Sequence, residues 1–155
     1  MAGLMDREDI EAAQASWGAA VVHVGAAESW EEAHARAVQL VEDHYCLEGD
    51  DLLFCPTKAA ERPFRQTLED AVSYFVGRDP GHPEDGGFAL EPWVGVRFAN
   101  AGVVCRQDVG ITMGHYVFCR GDGSELLAEY SLVYVRDHQG ALKLQLHHSA
   151  LPYSG

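Results

Sequence analysis

The sequence predicts a single α+β domain in which helices come first and an antiparallel sheet follows. A length of 155 residues suits one domain, and an apolar fraction of 47% supplies enough material for a packed core. Apolar residues recur every three or four positions through the first half of the chain, as on one face of a helix. The second half contains segments rich in Val, Tyr, Phe and Leu between short polar turns, which is typical of strands. Helices followed by a meander of strands indicate the α+β class.

Three helices are predicted in the first half. The first covers residues 6–26, and acidic side chains crowd its first turn. The second begins at the SWEE motif of residues 29–32, which fits a capping box, and ends near Tyr45. Residues 49–63 are expected to form an acidic turn, a short apolar run and a loop. The third helix is predicted over residues 64–76, on an apolar stripe formed by Phe64, Leu68, Ala71 and Phe75.

Four or five strands are predicted in the second half, at about residues 91–99, 101–107, 109–120, 124–136 and 141–149. GDGS at 121–124 and DHQG at 137–140 are typical of hairpin turns. Gly95, Gly102 and Gly114 lie inside these strands, where glycine allows a sheet to bend or bulge. A curved sheet with helices on one side forms a cone, so we expect a pocket between the two layers.

The charge balance argues against several classes of partner. The chain carries 11 Lys and Arg residues against 24 Asp and Glu residues, for a formal net charge of -13. This excess repels phosphate backbones and acidic lipid surfaces, so neither nucleic acid nor a membrane is an expected partner. The start MAGLMDREDIE shows no basic or apolar leader, which leaves the compartment undetermined and a plastid or periplasm open if a leader is removed.

Common catalytic and binding motifs are absent from the sequence. It has no GxGxxG, GxxxxGK[ST], GxSxG, HExxH or EF-hand pattern, which removes the usual nucleotide, hydrolase, zincin and calcium sites. Its four cysteines form no CxxC pair and lie in segments predicted as core, so free buried thiols are expected. Disulfides remain open if the native compartment is oxidising.

The last predicted strand carries two adjacent histidines. Strict alternation divides its side chains into one face with Lys143, Gln145, His147 and Ser149 and another with Leu142, Leu144, Leu146 and His148. Histidines on opposite faces cannot bind one ion, so a zinc site is not expected. His147 is interpreted either as a hydrogen-bonded histidine at a pocket rim or dimer surface or as a proton carrier, and His148 as structural.

Two hydroxyl side chains are further candidates. Thr57 follows Pro56 in the predicted loop and is interpreted first as a loop cap. Tyr74 lies one position off the stripe of the third helix, so it is interpreted as a core residue whose hydroxyl could reach a cavity. Spacing by itself assigns a catalytic role to neither residue.

Five segments, in order along the chain, resemble the iota-class carbonic anhydrases. They are LFCPTKA at 53–59, TLEDAVSYFVG at 67–77, VRFANAG at 96–102, MGHYVF at 113–118 and LHHSALPYS at 146–154. The resemblance implies one domain over residues 1–155, either a whole protein or one repeat of a larger one. This domain is related to the association domain of calcium/calmodulin-dependent protein kinase II, within the nuclear-transport-factor-2-like superfamily. The implied fold is cone-shaped and cystatin-like, with N-terminal helices on a curved antiparallel sheet of four to six strands.

The resemblance also implies an activity and a site. The activity is the reversible hydration of carbon dioxide to bicarbonate, without a metal or other cofactor. By position, the family's pocket residues fall on Thr57, Tyr74, Ser149 and His147. The three hydroxyls are expected to hold the water and the bicarbonate oxygens. His147, with an ordinary pKa of about 6.5, is expected to help pass the proton to solvent.

Two departures from the family's pattern lie in the last strand. Leu146 shortens the family's run of histidines, and Ala150 replaces its second serine. Residue 150 is expected to point away from the pocket, so Ser149 keeps its place in the implied site.

Other functions stay open from the sequence. One is a non-catalytic module of the association-domain type that oligomerises or binds a small ligand, and another is an isomerase or dehydratase with a carboxylate in the pocket. A carbonic anhydrase that depends on manganese or zinc is a third. A homodimer is expected, formed through the face of Leu142, Leu144 and Leu146 or through the strand at 126–135.

Overall fold

The computed structural model describes residues 3–49 and 52–155, which form helices packed on one side of a five-stranded sheet. The helices are α1 (Arg7–Gly25), α2 (Trp30–His44) and α3 (Leu68–Val76), and a 3₁₀ turn covers Phe88–Leu90. The strands are β1 (Leu53–Cys55), β2 (Trp93–Arg106), β3 (Val109–Arg120), β4 (Glu125–Arg136) and β5 (Leu142–Ala150). Their order in the sheet is β1, β5, β4, β3, β2. The α+β prediction is confirmed.

The long strand β2 differs from its prediction. The segments predicted as separate strands at 91–99 and 101–107 form one strand, because a β-bulge between Asn100 and Gly102 shifts the register with β3 without ending the pairing. Both hairpin turns are confirmed, since GDGS connects β3 to β4 and DHQG connects β4 to β5. The antiparallel part of the sheet is therefore a meander, as predicted.

Strand β1 was not predicted as a strand. Residues 49–63 were expected to form a turn, an apolar run and a loop, and the expected acidic turn includes Asp50 and Asp51, which lie outside the described residues. The apolar run pairs in parallel with β5, and this register places Cys55 beside His148. The loop that follows β1 therefore starts next to the end of β5.

Side-chain caps begin all three α-helices of the described chain. Ser29 caps α2 by accepting a hydrogen bond from the Glu32 amide at 3.1 Å, as the SWEE motif predicts. The predicted start of α3 at residue 64 is wrong, because Thr67 caps the helix and Phe64 lies before it with 71% of its surface exposed. The preceding Arg65 amide donates to the Phe54 carbonyl at 2.7 Å, which holds this stretch extended against β1.

A bulge also changes the faces of β5. Leu144 pairs with Tyr134 and Leu146 with Val133, so Gln145 is the extra residue of a β-bulge. Strict alternation therefore fails. Leu144, His147 and Ser149 all point into the core, with exposures of 2%, 3% and 4%. The predicted leucine face is wrong at Leu144, whereas the opposite orientation of His147 and His148 is confirmed.

Two further expectations concern the burial of the cysteines and contact with a membrane. All four cysteines are free, as expected, but they are half-buried and not buried in the core. Within the part of the chain that the structure describes, no helix combines the length and the apolar character that a membrane crossing requires.

Candidate functional site

A small cavity lies between the helices and the inner face of the sheet. Its volume is about 10 Å3, which is close to the minimum for one water molecule. Thr57, Tyr74, His147 and Ser149 all line it, so the structure brings together the four residues selected from the sequence. The remaining wall is mostly aromatic and is formed by Trp17, Phe54, Pro56, Phe75, Phe88, Tyr116 and Phe118.

The pairing of β1 with β5 brings Thr57 to Ser149. Thr57 lies two residues beyond Cys55, and Ser149 follows the register partner of Cys55, so the two hydroxyls meet at the same end of the sheet. Their oxygen atoms are 2.5 Å apart, and either hydroxyl can donate in this hydrogen bond. Ser149 also accepts a hydrogen bond from the Tyr116 hydroxyl.

Two sets of contacts with carboxylates hold the loop that carries Thr57. The Glu84 carboxylate accepts hydrogen bonds from the Ala60 and Arg62 amides at 2.7 and 2.8 Å, and these bonds lower the pKa of Glu84 to about 2. At the end of the loop, the Arg65 guanidinium donates to both Asp85 carboxylate oxygens at 2.7 and 2.8 Å. Both side chains of this pair are fully buried. The loop is therefore tied to the segment that follows α3.

Tyr74 extends from α3 toward the same loop. Its side chain is 4% exposed, and its hydroxyl accepts a hydrogen bond from the Lys58 amide at 3.2 Å. Burial raises the pKa of Tyr74, and hydrogen bonds with Lys58 and Thr57 offset this rise only in part. The phenol therefore keeps its proton at neutral pH and can donate a hydrogen bond into the cavity.

His147 lies deep in the core between two tyrosines. Its Nδ1 atom is 2.8 Å from the Tyr45 hydroxyl, and its Nε2 atom is 3.1 Å from the Tyr116 hydroxyl. Burial, with a smaller contribution from the nearby His148, lowers the pKa of His147 to about 3. The expected proton transfer by His147 assumed an ordinary pKa of about 6.5, whereas the buried, largely aromatic surroundings disfavour the charged imidazolium.

Tyr116 and Tyr45 were missed as site residues. Tyr116 lies on the inward face of β3, in the MGHYVF segment, and its hydroxyl bonds both His147 and Ser149. Tyr45 follows α2 and was predicted only as the end of the second helix. The available signal was chemical, since a tyrosine on a buried face needs a partner for its hydroxyl.

The cavity wall has a restricted chemistry. Among the described residues, neither aspartate nor glutamate lines it, so the arrangement offers hydroxyls and a neutral imidazole rather than a carboxylate base. An isomerase or dehydratase that requires an inward carboxylate is therefore not supported. Within residues 3–49 and 52–155, no group of three or more His, Cys, Asp or Glu side chains is placed to hold a metal ion.

Two similar proteins found by comparison are both carbonic anhydrases. A metal-independent carbonic anhydrase of Nostoc sp. is 35% identical over 149 residues, which cover 94% of this chain and 73% of that protein. The crystal structure of a cyanobacterial iota-carbonic anhydrase complexed with bicarbonate matches with a TM-score of 0.94 and 33% identity, covering 98% of this chain and 95% of that chain.

A more distant structure shows the fold alone. It is described as a calcium/calmodulin-dependent protein kinase II association domain of Xanthomonas campestris, with a TM-score of 0.64 and 20% identity over 97% of this chain and 91% of that chain.

The model of the metal-independent carbonic anhydrase family matches residues 8–151. The expected iota-class relationship is confirmed, and the chain belongs to the metal-independent carbonic anhydrase family.

Proposed function

We propose that this chain interconverts carbon dioxide and bicarbonate in the small cavity, with hydroxyl groups in place of a metal-bound water. The observation that carries the proposal is the convergence of Thr57, Tyr74 and Ser149 on one buried cavity. The cyanobacterial relative of 33% identity was crystallised with bicarbonate, which supports the same substrate here. The family's metal independence supports chemistry without a metal cofactor.

Substrate binding replaces the hydrogen bond between the Thr57 and Ser149 hydroxyls. Thr57 and Ser149 are 2.5 Å apart, and the cavity volume is about 10 Å3. Water and carbon dioxide together need more space, so their binding separates these two hydroxyls. Each hydroxyl then exchanges its protein partner for a substrate oxygen, which limits the cost of desolvation.

Carbon dioxide hydration can proceed through a hydroxyl relay. The water oxygen forms a bond to carbon while Ser149 Oγ accepts one water proton. At the same time Ser149 gives its own proton to a carbon dioxide oxygen, so the serine is unchanged and the product is carbonic acid. Carbonic acid releases one proton to solvent when it leaves the site, which yields bicarbonate. This relay needs no residue that titrates near neutral pH.

The other hydroxyls orient the reactants. Thr57 holds the attacking water, because its hydroxyl both accepts and donates hydrogen bonds. Tyr74 donates its phenolic proton to the oxygen that gains negative charge as carbon is attacked. These contacts are stronger in the buried, largely aromatic cavity than they would be in bulk water.

Stopped-flow measurement of carbon dioxide hydration, with a pH indicator and chelator-treated protein, tests this function. We expect catalysis to persist after chelation, with no bound metal detected by elemental analysis. A rate equal to that of buffer alone would contradict the proposed activity and support the non-catalytic module. Activity that disappears with chelator and returns with manganese would support the metal-dependent alternative.

We also propose that the chain forms a homodimer through the outer face of the sheet. Ile111, Met113 and Leu127 are 45%, 60% and 44% exposed on strands β3 and β4. An exposed apolar face of this kind favours association with a second copy. The expected face of Leu142, Leu144 and Leu146 does not serve, because Leu144 is buried. Light scattering should give a dimer mass for the wild type and a monomer mass for Met113→Glu, and a wild-type monomer would contradict the proposal.

A further inference from the structure

A chain of hydrogen bonds runs from α1 to the cavity. Trp17 Nε1 is 3.1 Å from the Tyr45 hydroxyl, which is 2.8 Å from His147 Nδ1. On the other side of the imidazole, Nε2 is 3.1 Å from the Tyr116 hydroxyl, which bonds Ser149. Four of these five side chains line the cavity, whereas Tyr45 does not.

The donor at the far end sets the direction of every bond in this chain. The indole of Trp17 can only donate, so the Tyr45 oxygen accepts and the Tyr45 proton is directed to His147 Nδ1. A neutral imidazole carries one proton, which must then lie on Nε2. Nε2 therefore donates to the Tyr116 oxygen, and the Tyr116 proton points to Ser149.

We propose that Tyr45 is a positioning residue that holds His147 in the Nε2-protonated tautomer and thereby leaves the Ser149 proton available to the substrate. Because Ser149 accepts from Tyr116, its own proton is directed toward Thr57 or a substrate oxygen. Successive bonds in the same direction polarise one another, so the serine becomes a better donor.

The opposite tautomer would reverse this arrangement. With the proton on Nδ1, the imidazole would donate to Tyr45, and the Tyr45 proton would lose its acceptor in a fully buried position. The unprotonated Nε2 would then accept a hydrogen bond from the Tyr116 hydroxyl. Ser149 would have to donate to the Tyr116 oxygen and could not give its proton to carbon dioxide. The inference thus rests on the proposed relay for its catalytic consequence, while the tautomer itself is a separate property.

The first test is the tautomer of the wild-type protein. Nitrogen-15 NMR of histidine-labelled protein should show a protonated Nε2 and an unprotonated Nδ1 for His147, assigned by its loss in His147→Gln. The same spectrum showing the proton on Nδ1, or a charged ring at neutral pH, overturns the proposal. This readout does not depend on activity, so a protein without carbonic anhydrase activity would refute the proposed function and leave the tautomer measurable.

The second test is Tyr45→Phe, which removes one oxygen and keeps the aromatic ring. We expect the His147 tautomer populations to shift toward Nδ1, and kcat to fall about fivefold to tenfold, the rate equivalent of one lost hydrogen bond. Tyr134→Phe is the matched control, because Tyr134 is buried like Tyr45, with 2% and 1% exposure, and its hydroxyl takes no part in this chain. The control should retain the wild-type kcat and His147 spectrum.

The two readouts separate positioning from stability. A Tyr45→Phe protein that loses activity with an unchanged His147 tautomer overturns the proposal, because a structural defect then explains the loss. A shifted tautomer with the wild-type kcat also overturns it, because the direction of the chain would not matter to the reaction.

Discussion

Replacing Ser149 with alanine tests the hydroxyl relay directly. The side chain is 4% exposed, and its oxygen bonds Thr57 at 2.5 Å and also accepts from Tyr116. The substitution removes the group that exchanges protons between water and carbon dioxide. A positioned acid or base contributes at least about 100-fold to a rate, so we expect kcat for hydration to fall by about that factor.

The same substitution has a calculable effect on stability. It leaves the buried Tyr116 proton without its Ser149 acceptor. An unsatisfied buried donor costs about 1–3 kcal/mol. Since 1 kcal/mol corresponds to roughly 2–4 °C of Tm in a domain of this size, we expect Tm to fall by about 2–12 °C. The variant should therefore remain folded at the assay temperature if the wild type is of ordinary stability.

Stopped-flow hydration assays in metal-free buffer, with thermal unfolding followed by circular dichroism, give both quantities. Ser131→Ala is a suitable control, because Ser131 is an exposed serine on the neighbouring strand β4. The control should keep the wild-type kcat and Tm. A folded Ser149→Ala protein with the wild-type kcat would refute the relay.

Three other substitutions or conditions probe the surroundings of the site. Tyr74→Phe should lower kcat about tenfold in the stopped-flow assay, through loss of a donor to the developing charge, and should leave the protein folded; an unchanged rate contradicts its role. The free energy of unfolding, from urea titrations, should fall by roughly 1 kcal/mol per pH unit as the pH drops from about 6.5. The unfolded chain binds protons at His147 and His44 in that range, whereas burial lowers both folded pKa values, that of His147 to about 3. A pH-independent stability between 6.5 and 4.5 would contradict this burial. Asp85→Asn should destabilise the fold by about 3 kcal/mol in the same titrations, because it removes the carboxylate that binds the buried Arg65 guanidinium with both oxygens, while Glu84 lies farther away at 3.9 Å; a change near zero would show that the pair is not buried in solution.

The absence of a metal-bound water changes what the protein must supply. A zinc ion lowers the pKa of its bound water to about 7 and so provides hydroxide at neutral pH. In a metal-independent carbonic anhydrase the water must lose its proton during the attack itself. Hydroxyls held within hydrogen-bond distance in a buried cavity are suited to this task, because their protons move without creating a buried charge.

Local patterns in the sequence were sufficient for most of the fold. The SWEE motif caps α2, GDGS and DHQG form hairpin turns, and alternating apolar residues form the long strands, because each of these signals acts between residues close in the chain. The wrong predictions concern segments whose structure depends on contacts with residues distant in the chain. Residues 64–67 stay extended because Arg65 bonds Phe54, and the short run at 53–55 becomes a strand only beside β5.

For the candidate site too, the sequence identified the residues, but only the folded structure determined their surroundings. Four residue types could be selected from the sequence because a resemblance places Thr57, Tyr74, His147 and Ser149 in known segments, but none of their environments could be read from those segments. The pKa of His147 and the direction of its hydrogen bonds depend on Tyr45 and on groups from α1, β1 and β3 that meet only in the folded core. Desolvation and hydrogen-bond direction are properties of such an assembly, and distance along the chain carries no information about either.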